Sequence, residues 1–114
     1  MPKPEIEFTD SDTAYEWQSV EGVLPGIKQK ILSYDPETGN YTRLLKFPPG
    51  IETIETLVHD FWEEVWILEG SLYDKAKKET YLPGYYACRP PGMIHGPYAI
   101  PYGCLTFEIR YFDL

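Results

Sequence analysis

No part of this chain holds the 3.6-residue apolar period of a helix for more than about a turn. Instead, short runs rich in Val, Ile, Thr, Tyr, Phe and Trp recur between proline and glycine corners at Pro25-Gly26, Gly39-Asn40, Pro48-Pro49-Gly50, Pro83-Gly84 and Pro91-Gly92. Breakers at that frequency leave room for strands and turns, and the spacing predicts an all-β barrel or sandwich. Strands are expected over 15–20, 27–34, 41–47, 54–59, 64–69, 71–73, 79–82, 85–89 and 103–112. The last shows clean alternation, with Leu105, Phe107, Ile109 and Tyr111 on one face and Cys104, Thr106, Glu108 and Arg110 on the other. The period is that of a half-buried strand. The polar face is expected to look at solvent.

At 114 residues the chain has room for one domain, 1–114, able to hide roughly two-thirds of its unfolded surface. Residues 1–14 are expected to form an extended arm, and the stretch 5–20 to add a strand to a neighbour's sheet in a homodimer. The 18 acidic residues against 10 basic ones give a net charge of -8, which repels phosphate backbones and anionic lipid, so neither nucleic acid nor membrane is an expected partner. No stretch approaches the ~20 apolar residues of a bilayer span, and a cytoplasmic location is expected. Cys88 and Cys104 have no close CxxC spacing and are expected to be free, buried thiols.

The chain has two histidines, His59 and His95. The first lies in GIETIETLVHDFWEEVWILEG (50–70), four residues before Glu63; the second follows a Pro-Pro-Gly corner in GYYACRPPGMIHGPY (84–98). On one uninterrupted strand, four steps of ~3.3 Å would hold His59 and Glu63 about 13 Å apart. Sharing an ion therefore requires a reversal, with Asp60, Phe61 and Trp62 as a tight connection ending one strand at His59 and starting the next at Glu63. Glu63, Val65 and Ile67 then share a face that Glu64 avoids. A lone carboxylate on an apolar face is costly unless a cation meets it. Rigid prolines and a positive-φ Gly92 deliver His95 to the same place. Two imidazoles and one carboxylate form a three-ligand set for one divalent ion, with Fe, Zn, Mn, Ni and Cu all admissible, and leave coordination positions open.

These two segments resemble the paired motifs of the cupin superfamily, written G(X)5HXH(X)3-4E(X)6G and G(X)5PXG(X)2H(X)3N. His59 matches the second histidine of the first motif, Glu63 its glutamate and Gly70 its closing glycine; Gly84, Pro90, Gly92 and His95 match the second motif. The resemblance covers 50–98 and implies a double-stranded β-helix, a jelly-roll-like barrel. Leu57 replaces the first histidine and Ala99 the final asparagine, so a site that usually has four protein ligands keeps three. Glu55 is a weak substitute for the missing one. The run EEVWILEGSLYD and the later RPPGMIH are similar to single-domain cupins related to acetylacetone-cleaving dioxygenases and to the zinc-binding cupin domain of anti-sigma factors.

That likeness implies a metal-dependent dioxygenase acting on a small β-diketone-like or aromatic carbonyl substrate. Two alternatives stay open: a non-catalytic small-molecule or metal-binding module, and a metal-independent isomerase using His59 and Glu63 for proton transfer. Arg89 and Arg110 are either a clamp for a substrate carboxylate or surface charges, and Glu108 is either a general base or a surface charge. Phe61, Trp62, Trp66, Tyr73, Tyr85, Tyr86 and Tyr98 are expected in the barrel core, with a pocket lining as the other reading.

Overall fold

The computed structural model describes residues 3–112, so the ends of the expected 1–114 domain and the first two residues of the expected arm lie outside the described residues. The elements run α1 (Ser11–Ala14), β1 (Gln18–Ser19), β2 (Lys28–Tyr34), β3 (Tyr41–Phe47), β4 (Ile51–Glu52), β5 (Trp62–Gly70), β6 (Leu72–Asp74), β7 (Glu79–Tyr81), β8 (Tyr86–Arg89), β9 (Tyr98–Ile100) and β10 (Cys104–Tyr111). A six-stranded sheet in the order β1-β2-β3-β10-β5-β8 faces a four-stranded sheet in the order β4-β9-β6-β7. Their pairings are antiparallel, giving the all-β double-stranded β-helix that the motifs implied. Among the described residues, no helix is long and apolar enough to cross a membrane.

Ile67, Leu72, Tyr98, Ile100 and Cys104 form one buried cluster between the sheets, with Phe47, Ile51 and Tyr81 packed against it. The turn at Gly70 brings β5 close to the start of β10: the residue has φ +77°, and a Cβ there would come within 2.1 Å of the Gly103 carbonyl oxygen. Only glycine fits without moving a strand.

Several expectations need correction. Instead of a strand over 54–59, that stretch carries an isolated bridge between Leu57 and His95. Ile54 and Val58 are 88% and 59% exposed, so residues that favour strands lack a neighbour to pair with. β9 was unforeseen; three residues between Pro97 and Pro101 are too few to show alternation. In β10 the faces are reversed: Cys104, Thr106 and Glu108 are buried, whereas Leu105, Phe107 and Ile109 are only half-buried. The polar face turns into the barrel.

The segment expected to be an extended arm contains one helical turn, Ser11–Ala14, capped by the Asp10 side chain accepting from the Asp12 N–H at 2.9 Å. β1 pairs with β2 of its own chain. Lys30 then reaches back to the Ser11 carbonyl at 2.8 Å, beneath the Trp17 ring. Both cysteines are free, but Cys88 is exposed and only Cys104 is buried.

Candidate metal centre

The segments carrying the two histidines are bonded to each other. The Leu57 N–H donates to the His95 carbonyl at 2.7 Å, the His95 N–H donates to the Leu57 carbonyl at 2.9 Å, and the Gly92 N–H donates to the His59 carbonyl at 2.8 Å. Gly92 has the expected positive φ, +83°. This lacing sets the imidazoles side by side, ring centroids 5.2 Å apart, with His59 stacked on Phe61 at 4.6 Å. Glu63 is the second residue of β5, so the reversal across Asp60 and Phe61 does occur, though it starts from a loop rather than a strand. His59, Glu63 and His95 each offer a ligand atom, and these atoms lie within 4.8 Å of one another.

Register explains the surroundings of Glu63. It stands opposite Arg89 on β8 and opposite Arg110 on β10, so three inward positions fall in one row across the sheet. Arg89 Nη1 donates to Oε1 and Arg110 Nη2 to Oε2, each at 2.7 Å. Burial pushes the Glu63 carboxyl up, but Arg110 and then Arg89 outweigh it and hold it below the usual carboxylate range. One row further, Arg43 on β3 faces Glu108, giving its Oε1 bonds of 2.9 and 2.8 Å from Nε and Nη2. Arg110 ties the rows together, with its Nε 3.8 Å from Glu108 Oε1 and its Nη1 donating to the Tyr41 hydroxyl at 3.1 Å.

Arg89 also donates to the Tyr98 hydroxyl at 2.9 Å, and that oxygen lies 3.0 Å from His95 Nδ1. Burial, aided by Arg89, depresses His95 to a pKa of about 4; burial also lowers His59. Both imidazoles are thus neutral at neutral pH, the form that ligates metal. His95 Nε2 is buried without a hydrogen-bond partner. With Nδ1–H donating to Tyr98, Nε2 would present a lone pair, the usual arrangement of a ligating histidine. On these grounds the donor set fits a divalent ion. The two arginines on Glu63 oppose it, since they already engage both carboxylate oxygens.

Glu64 points outward, as expected, and accepts from Tyr86 and, at 2.9 Å, from Tyr111. Glu55 is exposed and outside the cluster. Arg89, Arg110 and Glu108 are inward groups rather than surface charges, and the arginines grip Glu63 instead of standing free as a clamp. Glu108 is engaged at both oxygens, the second by Thr106 Oγ1 at 3.2 Å, and is not a free base. Of the aromatics expected in the core, Trp66, Tyr85 and Tyr86 are about half exposed, and Tyr98 is buried. Arg43 was missed. The signal was a lone charge on the face shared by Tyr41, Leu45 and Phe47 in YTRLLKF. His59, Glu63, Arg89, His95, Arg110, Arg43 and Glu108 all line a cavity of about 820 Å³.

A family model described as the ChrR cupin-like domain matches residues 7–110. Among curated proteins, none matches significantly. Similar solved structures include an RmlC-like cupin from Ralstonia eutropha (22% identity, 95% of this chain and 69% of that one, TM-score 0.77). An acetylacetone dioxygenase from Acinetobacter johnsonii is 20% identical over 96% of this chain and 78% of its own, with a TM-score of 0.73. A polyketide cyclase from Streptomyces resistomycificus is 19% identical over 96% and 81%, with a TM-score of 0.74. At these identities the likeness is one of fold.

Proposed function

The chain belongs to the ChrR cupin-like domain family, and from that premise we propose that it is a metal-dependent cupin enzyme, a dioxygenase that cleaves a small β-diketone-like or aromatic carbonyl compound. His59, Glu63 and His95 hold its single divalent ion. The observation that carries this reading is the convergence of their three ligand atoms within 4.8 Å, on the lining of a cavity large enough for a small organic molecule. A bound ion of this kind supplies open coordination positions for substrate and, if redox-active, for dioxygen. The chain's own groups orient and enclose: Tyr98 fixes the His95 ring, Arg89 and Arg110 hold the Glu63 carboxylate ionised, and the cavity's apolar lining residues keep water from the substrate's carbon skeleton.

The proposal extends to one cupin domain over 1–114, acting as a homodimer in the cytoplasm. Free thiols suit a reducing compartment. Trp66, Tyr86, Phe107 and Ile109 leave an apolar patch on the outer face of the larger sheet, and a second copy could cover it. Size-exclusion chromatography with light scattering decides that point, a monomer counting against it.

One observation favours a second reading, a binding module without chemistry: both Glu63 oxygens are already held by arginines. The test is reconstitution with Fe(II), followed by elemental analysis and oxygen consumption with pentane-2,4-dione and a panel of aromatic ketones. Metal uptake with oxygen consumption supports the enzyme. Ligand-induced thermal stabilisation without consumption supports the module, and no metal uptake removes the metal reading.

A further inference from the structure

On the lining of the cavity three guanidiniums share two buried carboxylates. Arg43, Arg89 and Arg110 line it with Glu63 and Glu108, while the remaining lining carboxylate, Glu21, is exposed. Each inner carboxylate is already shared: Glu63 between Arg89 and Arg110, Glu108 between Arg43 and Thr106, with Arg110 Nε 3.8 Å from Glu108 Oε1, beyond hydrogen-bond reach. Arg110 is left with a buried Nε–H that has no hydrogen-bond partner. A buried donor without an acceptor is rare and asks for an oxygen, and the planar guanidinium fork suits an oxyanion with two oxygens. The same lining includes the apolar side chains of Ile27, Ile31, Leu45 and Phe47.

We propose that the cavity binds a small organic oxyanion, a carboxylate or enolate with an aliphatic tail, and that this anion and the divalent ion bind cooperatively. The inference rests on the metal reading of His59, Glu63 and His95 and adds the ligand's charge and shape to it. Glu63 makes the link. It is the counter-ion of two guanidiniums, and once shared with a divalent cation it neutralises them less. Metal alone is therefore opposed by Arg89 and Arg110, and an anion settling on them removes the opposition. A neutral carbonyl compound of the same length does not. Linkage requires the effect to be mutual.

Isothermal titration calorimetry of Mn²⁺ into the full chain, alone, with millimolar hexanoate and with hexanamide, tests this. Hexanoate is expected to tighten Mn²⁺ binding about tenfold or more, and Mn²⁺ to tighten hexanoate by the same factor; hexanamide leaves Mn²⁺ unchanged. In Arg110→Gln, Mn²⁺ alone binds more tightly than in the parent and the gain from hexanoate shrinks. Circular dichroism checks that the variant folds, and Arg89→Gln makes the same comparison from the other strand. Equal Mn²⁺ affinity with and without hexanoate overturns the inference and leaves the metal reading standing. No Mn²⁺ binding under any condition overturns both.

Discussion

Arg110 stands directly across from Glu63 in the β5–β10 register, and its guanidinium meets the carboxylate at 2.7 Å while Arg89 takes the other oxygen from the far side. Glu63 is 3% exposed, and its removal takes the carboxylate from two half-buried guanidiniums. Breaking a buried pair from one side costs about 3 kcal/mol or more, well above the net worth of the pair. Glu63→Gln is expected to lose that much in urea denaturation. Glu64→Gln, on the outer face with its two tyrosine partners, should lose about 1 kcal/mol. Equal losses would show that the buried row does not stabilise the barrel.

Tyr98 meets His95 Nδ1 at 3.0 Å and is itself held by Arg89. If His95 ligates through Nε2, Tyr98 sets both the ring's orientation and its tautomer. Partners of this type are worth roughly 10- to 100-fold in metal affinity. Tyr98→Phe keeps the ring in the core and removes only the hydroxyl, so the folded variant should bind Mn²⁺ more weakly by that factor and lose about 1–3 kcal/mol of stability from the two partners it leaves. Unchanged affinity would assign the hydroxyl to Arg89 alone.

The barrel and the three converging residues were legible because local signals carry them. Turn residues mark the corners, His59 and Glu63 require a reversal, and Pro90-Pro91-Gly92 aims His95. The rest depends on pairing across the sheet, which no local pattern encodes. That Arg89, Glu63 and Arg110 form a row, and that Arg43 meets Glu108, follows from the order β3-β10-β5-β8. The faces of β10 were misassigned for the same reason. Alternation separates two faces without saying which one looks inward, and here buried ion pairs make the polar face the inner one.

Cys88 and Cys104 should differ sharply towards thiol reagents. Cys104 is 5% exposed, and burial pushes its pKa up to about 11, so at pH 8 it is both protonated and shielded. Cys88 sits exposed on the outer face of β8. A disulfide reagent at pH 8 should titrate one thiol in the folded protein and two in guanidinium, and Cys88→Ser should abolish the folded-state reaction. The raised Cys104 pKa also has a sign in folding. The unfolded thiol ionises first, so its contribution is complete below about pH 9 and declines as pH rises towards 11. Cys104→Ala should flatten that decline.

Gly70 and Gly84 separate backbone strain from steric contact. Both have positive φ, +77° and +93°, and alanine at either costs about 1–2 kcal/mol for that conformation. Around Gly84 there is nothing within 4 Å of an added methyl, whereas at Gly70 the methyl would lie 2.1 Å from the Gly103 oxygen and 2.9 Å from the Cys104 Cα. Those are backbone atoms at the head of β10, and Cys104 is paired to Gly70 on one side and Phe47 on the other, so they cannot retreat without disturbing both ladders. Overpacking adds about 1–3 kcal/mol. Gly70→Ala should therefore be the more destabilised of the two in urea denaturation. Because β10 also carries Arg110 and Glu108, any folded Gly70→Ala protein should bind Mn²⁺ differently from the parent, while Gly84→Ala should not. Equal stability losses would mean that the approach of β5 to β10 at this corner relaxes without cost.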